Sequence, residues 1–125
     1  MQEQFVTYEI ALKLKELGFD EECLKLWEHT EFYTVLVSPR EYKKVISERF
    51  IKAPLWQQVI DWFREKHNMS ILIPSFRISD KELAVTWRIM STNFGNINAD
   101  MILTSYEEAR EQAILKAIES CQKEK

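Results

Sequence analysis

Between Ala53 and Asn68 one side of a helix is written in large apolar side chains: Leu55, Trp56, Val59, Ile60, Trp62 and Phe63 recur at helical spacing and form a wide face. A face of that size must be covered, so whatever else the chain folds into has to supply the cover. The ends of the helix are also legible. Pro54 suits the first helical position, Lys66 and His67 place positive charge at the C-terminus, and Asn68 tolerates a left-handed exit.

The segments on either side change period. Upstream, CLKLW and FYTVLV are short, aromatic and β-branched, and the polar residues 28–31 separate them, which predicts two paired strands. Downstream, MSILIPSFRI and ELAVTWRIM are joined by Ser79-Asp80-Lys81. Leu83, Val85, Trp87 and Ile89 there alternate with Ala84, Thr86 and Arg88, the two-residue period of a half-solvated antiparallel hairpin. Pro74 cannot donate to a ladder and marks a bulge or an edge.

Two further helices bracket these strands. Residues 7–17 put Ile10, Ala11, Leu14 and Leu17 on one side, with Thr7 as cap and Gly18-Phe19 as a left-handed exit that folds Phe19 back on Leu14. At the other end S-Y-E-E matches a capping box starting at Ser105, with Glu108 reaching back. The stripe from Tyr106 through Ala109, Ala113, Ile114, Ala117 and Ile118 to Cys121 predicts a helix running to about Cys121. Residues 38–52, including REYKKVISERF, read equally as a short helix or a charged connection, and residues 91–100 as a polar loop. The expected fold is α+β: one domain over residues 1–125, with a mostly antiparallel sheet of about four strands in two hairpins and three or four helices packed on it.

Composition narrows the function classes. Seventeen basic against twenty acidic residues leave a net charge of -3, so no overall positive field draws in a phosphate backbone. Two glycines, Gly18 and Gly95, cannot write a P-loop or a dinucleotide fingerprint. Cys23, His29, His67 and Cys121 exhaust the soft metal ligands, and none sits at zinc-site spacing, so neither metal nor cofactor is expected and both cysteines read as packed, reduced thiols. No run approaches the roughly 18 apolar residues of a membrane span, and residues 1–10 lack the regions of a secretory signal.

Three stretches, ALKLKELGF, APLWQQVIDWFREKHN and SYEEAREQAILKAIE, resemble small phage, prophage and mobile-element proteins of Bacteroides-type bacteria whose activity is not established. The A-P-x-W-Q-Q helix is the most distinctive part, and residues 91–103 fall outside the resemblance. It implies a phage or integrated-element origin and a bacterial cytoplasm, and it brings no catalytic residues with it.

No nucleophile elbow or cysteine-protease motif is present, and the acidic pair Glu107-Glu108 is accounted for by helix capping, so the chain is expected not to be an enzyme. A small enzyme that draws on His29 or His67 with distant partners leaves no local trace, and stands as a third reading. The leading expectation is a protein-interaction module, binding an unknown partner or itself. Trp56 and Trp62 lie six positions apart and cannot share one narrow stripe, so one of them falls at the edge of the buried face. Phe94 and Ile97 sit among turn residues on a loop. The alternative is a nucleic-acid accessory protein that uses Arg77, Lys81 and Arg88 beside Phe76 and Trp87. Against it, alternate strand residues point into a core, which makes Trp87 a packing residue.

Overall fold

The computed structural model describes residues 4–38, 50–92, 95–99 and 105–123. Among them are three helices and eight strands, and the chain divides into two units, Met1–Gln58 and Val59–Lys125, with the division inside the first turn of the central helix.

The first unit opens with α1 (Tyr8–Glu16), capped by the Thr7 hydroxyl, which accepts from the Ile10 amide at 3.3 Å. The helix ends as its sequence predicts. Gly18 takes φ +98°, the Phe19 amide donates to the Leu14 carbonyl at 3.0 Å and the Gly18 amide to the Lys15 carbonyl at 3.0 Å. This doubled pairing satisfies the last carbonyls and turns Phe19 into the core. Ile10, Ala11 and Leu14 are buried, and α1 packs against the sheet through its third strand.

That sheet holds β1 (Lys25–His29), β2 (Thr34–Val37) and β3 (Phe50–Ala53), in the order β2-β1-β3 and antiparallel throughout. The β1–β2 hairpin is the predicted pair. β3 is not predicted: its first three residues close the stretch read as a short helix or charged connection, and residues 39–49 of that stretch lie outside the described residues. Ile51 and Ala53 are buried while Phe50 and Lys52 are half-buried, a two-residue period too short to stand out behind Glu48 and Arg49. Trp27 of β1 lies opposite both Leu36 and Ile51, and its indole N–H donates to the Val6 carbonyl at 2.9 Å.

The central helix α2 (Trp56–His67) starts two residues later than expected. Pro54 is not its first residue: the Pro54 carbonyl accepts from the Val6 amide at 2.9 Å and Leu55 bridges Phe5, so these two residues are held in extended pairing. The Leu55 amide finds the Gln58 side-chain oxygen at 3.4 Å instead. At the far end Asn68 adopts φ +53°, the left-handed exit.

In the second unit β4 (Met69–Leu72), β7 (Arg88–Ser91) and β8 (Gly95–Asn98) form one antiparallel sheet, while β5 (Ser75–Arg77) and β6 (Leu83–Val85) form a second of two strands. The single four-stranded sheet is therefore corrected to three sheets of three, three and two strands among the described residues. The expected long hairpin is broken in both arms, at Ile73-Pro74 and at Thr86-Trp87, because Pro74 has no amide to offer and its carbonyl takes the Thr86 amide at 3.1 Å. Across the break Val85, Trp87 and Ile89 keep the expected buried alternation. Ala84 and Val85 are both buried while Leu83, expected inside, is 63% exposed.

β8 occupies four residues of an expected loop. Gly95–Asn98 has little strand propensity of its own, but β7 presents an edge and Ile97 pairs with the buried Ile89. α3 (Tyr106–Lys123) packs on β4 and β7. Ala109, Ala113 and Ala117 are fully buried, and Cys121 Sγ comes to 4.0 Å from Met69 Sδ. Small side chains let the helix approach the sheet closely. Tyr106 departs from the predicted stripe: it is exposed, with the Arg110 guanidinium 5.5 Å from its ring centre. Ser105 Oγ accepts from the Glu108 amide at 3.2 Å, as a cap should, but the carboxylate it meets belongs to Glu107, at 3.1 Å. The backbone amide of Glu107 and that hydroxyl hold the Glu107 carboxyl below its ordinary range.

Candidate functional site

Residues 74–83 of the second unit are all exposed. They make up β5, the turn and the start of β6. The register pairs Ser75 with Val85, Phe76 with Ala84 and Arg77 with Leu83, so Phe76 lies on one face of the ribbon and Leu83 on the other. The turn is ordered by Ser79, whose hydroxyl accepts from the amides of Lys81 at 3.3 Å and Glu82 at 3.1 Å, while the Ile78 amide donates to the Glu82 carbonyl at 3.2 Å. Phe76, Ile78 and Leu83 are thus carried, exposed, on a ribbon whose turn is fixed by hydrogen bonds.

The apolar surface continues on the adjoining sheet. Leu72 and Met90 are exposed on the same face of β4 and β7, opposite the buried Met69, Ile71 and Ile89. Arg88 shares that outer face and donates from Nε to Asn98 Oδ1 at 2.9 Å, beside an open depression lined by Leu72, Ile73 and Pro74. Single exposed apolar residues are ordinary, whereas two-stranded ribbons with apolar side chains on both faces are marginal in water without something to cover them.

The residues singled out from the sequence are dispersed. Trp56 and Trp62 are 6% and 5% exposed, and Trp62 packs edge-on against Phe63 and His67 at 5.1 and 4.8 Å. Ile97 is half-buried in β8, and Phe94 lies outside the described residues. Arg77, Lys81 and Arg88 are exposed, but Trp87 is buried with its indole N–H toward Gln112 Oε1 at 3.4 Å, which removes it as a stacking platform. Sequence reasoning missed Leu72, Ile78, Leu83 and Met90; the alternation over residues 83–89 put Leu83 on the buried side and carried no signal for the other three. It also missed Phe32, 85% exposed on the β1–β2 turn, where Thr30 Oγ1 accepts from the Phe32 and Tyr33 amides, each at 3.2 Å. The signal was the threonine two residues before the aromatic, the pattern of a side-chain-locked turn.

His29 Nδ1 lies 2.7 Å from Thr34 Oγ1 and its ring stacks on Tyr8 at 4.4 Å, on the exposed end of β1. Neither histidine lines either of the two described concavities, and no group of three potential metal ligands converges among the described residues.

The Cys23 thiol is half-buried. Burial pushes it from an ordinary 9.0 up to about 11, with Glu21 adding to the rise and Lys52 and a Gln58 hydrogen bond opposing it. The expected result, in a Cys121→Ala background, is alkylation by iodoacetamide at pH 8 roughly a hundredfold slower than for a peptide thiol, since the thiolate is the reactive form. Because the folded thiol ionises at higher pH than the unfolded one, its contribution to stability is present below about pH 9 and is lost as the pH rises toward 11. Labelling at the peptide rate would place Cys23 in water.

No known protein family, curated protein or solved structure matches the chain. No described helix is long and apolar enough to cross a membrane.

Proposed function

We propose that this chain is a non-enzymatic interaction module of phage or mobile-element origin, acting in a bacterial cytoplasm, and that it holds a protein partner on the 74–83 ribbon and the adjoining outer face of β4 and β7. The supporting observation is the run of exposed residues in that ribbon, among them Phe76, Ile78 and Leu83, continued by Leu72 and Met90. Apolar side chains on a narrow, pre-ordered scaffold bind with little loss of conformational freedom, and the free edges of a two-stranded sheet accept a further strand from a partner or from a second copy.

The nucleic-acid reading rests on Arg77, Lys81 and Arg88. On the ribbon, Arg77 and Lys81 are offset by Asp80 and Glu82, so the ribbon has no net positive charge. With Trp87 buried and Arg88 engaged by Asn98, that reading loses its stacking residue and one of its free cations.

The test is an affinity capture from bacterial lysate with the native chain and with Ile78→Asp/Leu83→Asp, each with and without nuclease. Both substituted side chains are exposed, so the variant should keep the native unfolding midpoint. The expected result is a nuclease-resistant partner, or the chain itself, enriched by the native protein and reduced about tenfold or more by the variant. Equal capture by both proteins would remove the ribbon from the interface. Enrichment abolished by nuclease would transfer the function to nucleic acid.

A further inference from the structure

A second concavity lies wholly within the first unit, where α1 faces β3. Its volume is about 180 Å³. Ala11, Phe19 and Ile51, all buried, and the half-buried Phe50 line it together with the charged Lys15, Asp20 and Lys52. Each wall has a sequence cause. Ala11 and Lys15 are one helical turn apart, so a methyl group leaves space where a larger side chain would fill it, and a long cationic side chain stands above that space. The left-handed turn at Gly18 brings Phe19 across the end of the helix, and the alternation in β3 sends Ile51 inward while Lys52 takes the other direction.

The charges in this lining are unequal. Lys52 Nζ lies 3.1 Å from Asp20 Oδ1 and also donates to the Asp20 backbone carbonyl at 3.1 Å, so these two side chains neutralise each other. Lys15 has no ion-pair partner among the described residues. One uncompensated ammonium therefore overlooks an apolar hollow with room for roughly half a dozen waters. A singly charged carboxylate with a short hydrocarbon tail matches both parts: the tail displaces water from Ala11, Phe19 and Ile51, and the carboxylate meets Lys15. A multiply charged anion is disfavoured, because Asp20 adds a negative charge to the same lining and the small size of the hollow leaves a dianion no neutral end to bury.

We infer that this pocket is a binding site for a small amphiphilic monocarboxylate, with Ala11, Phe19 and Ile51 receiving the hydrocarbon and Lys15 pairing with the carboxylate. The site is independent of the ribbon, and a soluble ligand there would give the module a means of sensing a metabolite.

The probe is hexanoate, titrated into the full chain labelled with nitrogen-15 and followed by amide shifts. Saturable shifts are expected at Ala11, Lys15, Phe19 and Ile51, with a Kd in the region of ~1 mM, an affinity in keeping with so few contacting atoms. Hexanamide, which keeps the tail and loses the charge, and inorganic phosphate, which keeps charge and loses the tail, should each bind about tenfold more weakly or worse. Lys15→Gln should weaken hexanoate by about two- to fivefold while leaving the spectrum elsewhere unchanged, since Lys15 is exposed. Ala11→Leu, which fills the hollow, should abolish binding; as Ala11 is buried, Lys15→Gln decides the matter if that variant does not fold. Absence of saturation, shifts scattered over other lysines, equal binding of hexanamide, or an unchanged Kd in Lys15→Gln would each overturn the assignment.

Discussion

Phe63→Ala is expected to cost about 3–5 kcal/mol, enough to lower the urea midpoint by roughly 1.5–3 M or to unfold the chain outright. Phe63 is fully buried in the middle of α2, its ring 5.1 Å from Trp62 in an edge-on arrangement and 5.6 Å from His67. Truncation removes the transfer energy of the ring, leaves a cavity that neighbouring side chains fill only in part, and deletes two ring contacts worth about 0.5–1.5 kcal/mol each. Against a total stability of about 5–15 kcal/mol for a domain of ordinary size, that is a large share. The paired control is Leu83→Ala, where the side chain is exposed and the change should fall within about 0.5 kcal/mol of zero. Circular dichroism in urea reads both. A loss under 1 kcal/mol for Phe63→Ala would move the apolar face of α2 out of the core. A loss above 2 kcal/mol for Leu83→Ala would mean that the ribbon is packed rather than presented, and the proposed interface would lose its basis.

The contrast between those two positions shows what the sequence does and does not carry. Phe63 belongs to a face repeated over three turns, and the helical period survives small errors in where the helix starts; α2 begins two residues late, losing Leu55, yet Trp56, Val59, Ile60, Trp62 and Phe63 are all buried. The same holds for α1, where Gly18 admits essentially one backbone solution, and for α3, whose alanine stripe is continuous. Strand faces have no such tolerance. A two-residue period says which face a residue takes but not how far the cover on that face extends: Val85, Trp87 and Ile89 are buried in the expected phase, yet Leu83, on the face of Val85 but next to the turn, lies in water. β3 and β8 were hidden for a different reason. Each has four residues, and each is a strand because a neighbour offers hydrogen-bonding groups, which is information held in the partner rather than in Phe50–Ala53 or Gly95–Asn98.

The candidate surfaces were less legible than the fold for the same physical cause. Counting aromatics directs attention to Trp56 and Trp62, yet large rings at helical spacing bury themselves, and both do. Exposure goes instead to medium-sized side chains on the outer face of β4 and β7 and beside the ribbon turn, and to Phe32 on a turn closed by Thr30. The pocket above Ala11 depends on an absence, a methyl group where a longer side chain would fit. In one sequence Ala11 reads only as a helix-core alanine, and its neighbours Ile51 and Lys52 come from a strand that local pattern did not reveal.

Trp27→Phe isolates one hydrogen bond that secures the start of the chain, and its expected cost is about 1–3 kcal/mol. Val6 is fully buried; its amide donates to the Pro54 carbonyl and its carbonyl accepts from the Trp27 indole, so this one residue links the N-terminal segment to β1 and to the approach to α2. Phenylalanine retains most of the apolar surface that Trp27 sets opposite Leu36 and Ile51, but deprives a buried carbonyl of its indole donor. Trp27→Ala removes both and should cost about 3–5 kcal/mol. The difference between the two variants is therefore the packing contribution, and the cost of the phenylalanine variant is chiefly the unpaired carbonyl. Amide exchange adds a spatial readout: opening should rise first at Val6 and at Ile51, the strand neighbour that also lines the pocket, and hexanoate affinity should fall with it. If Trp27→Phe cost less than about 0.5 kcal/mol, water would be reaching the Val6 carbonyl, and the N-terminal segment would be held by packing alone.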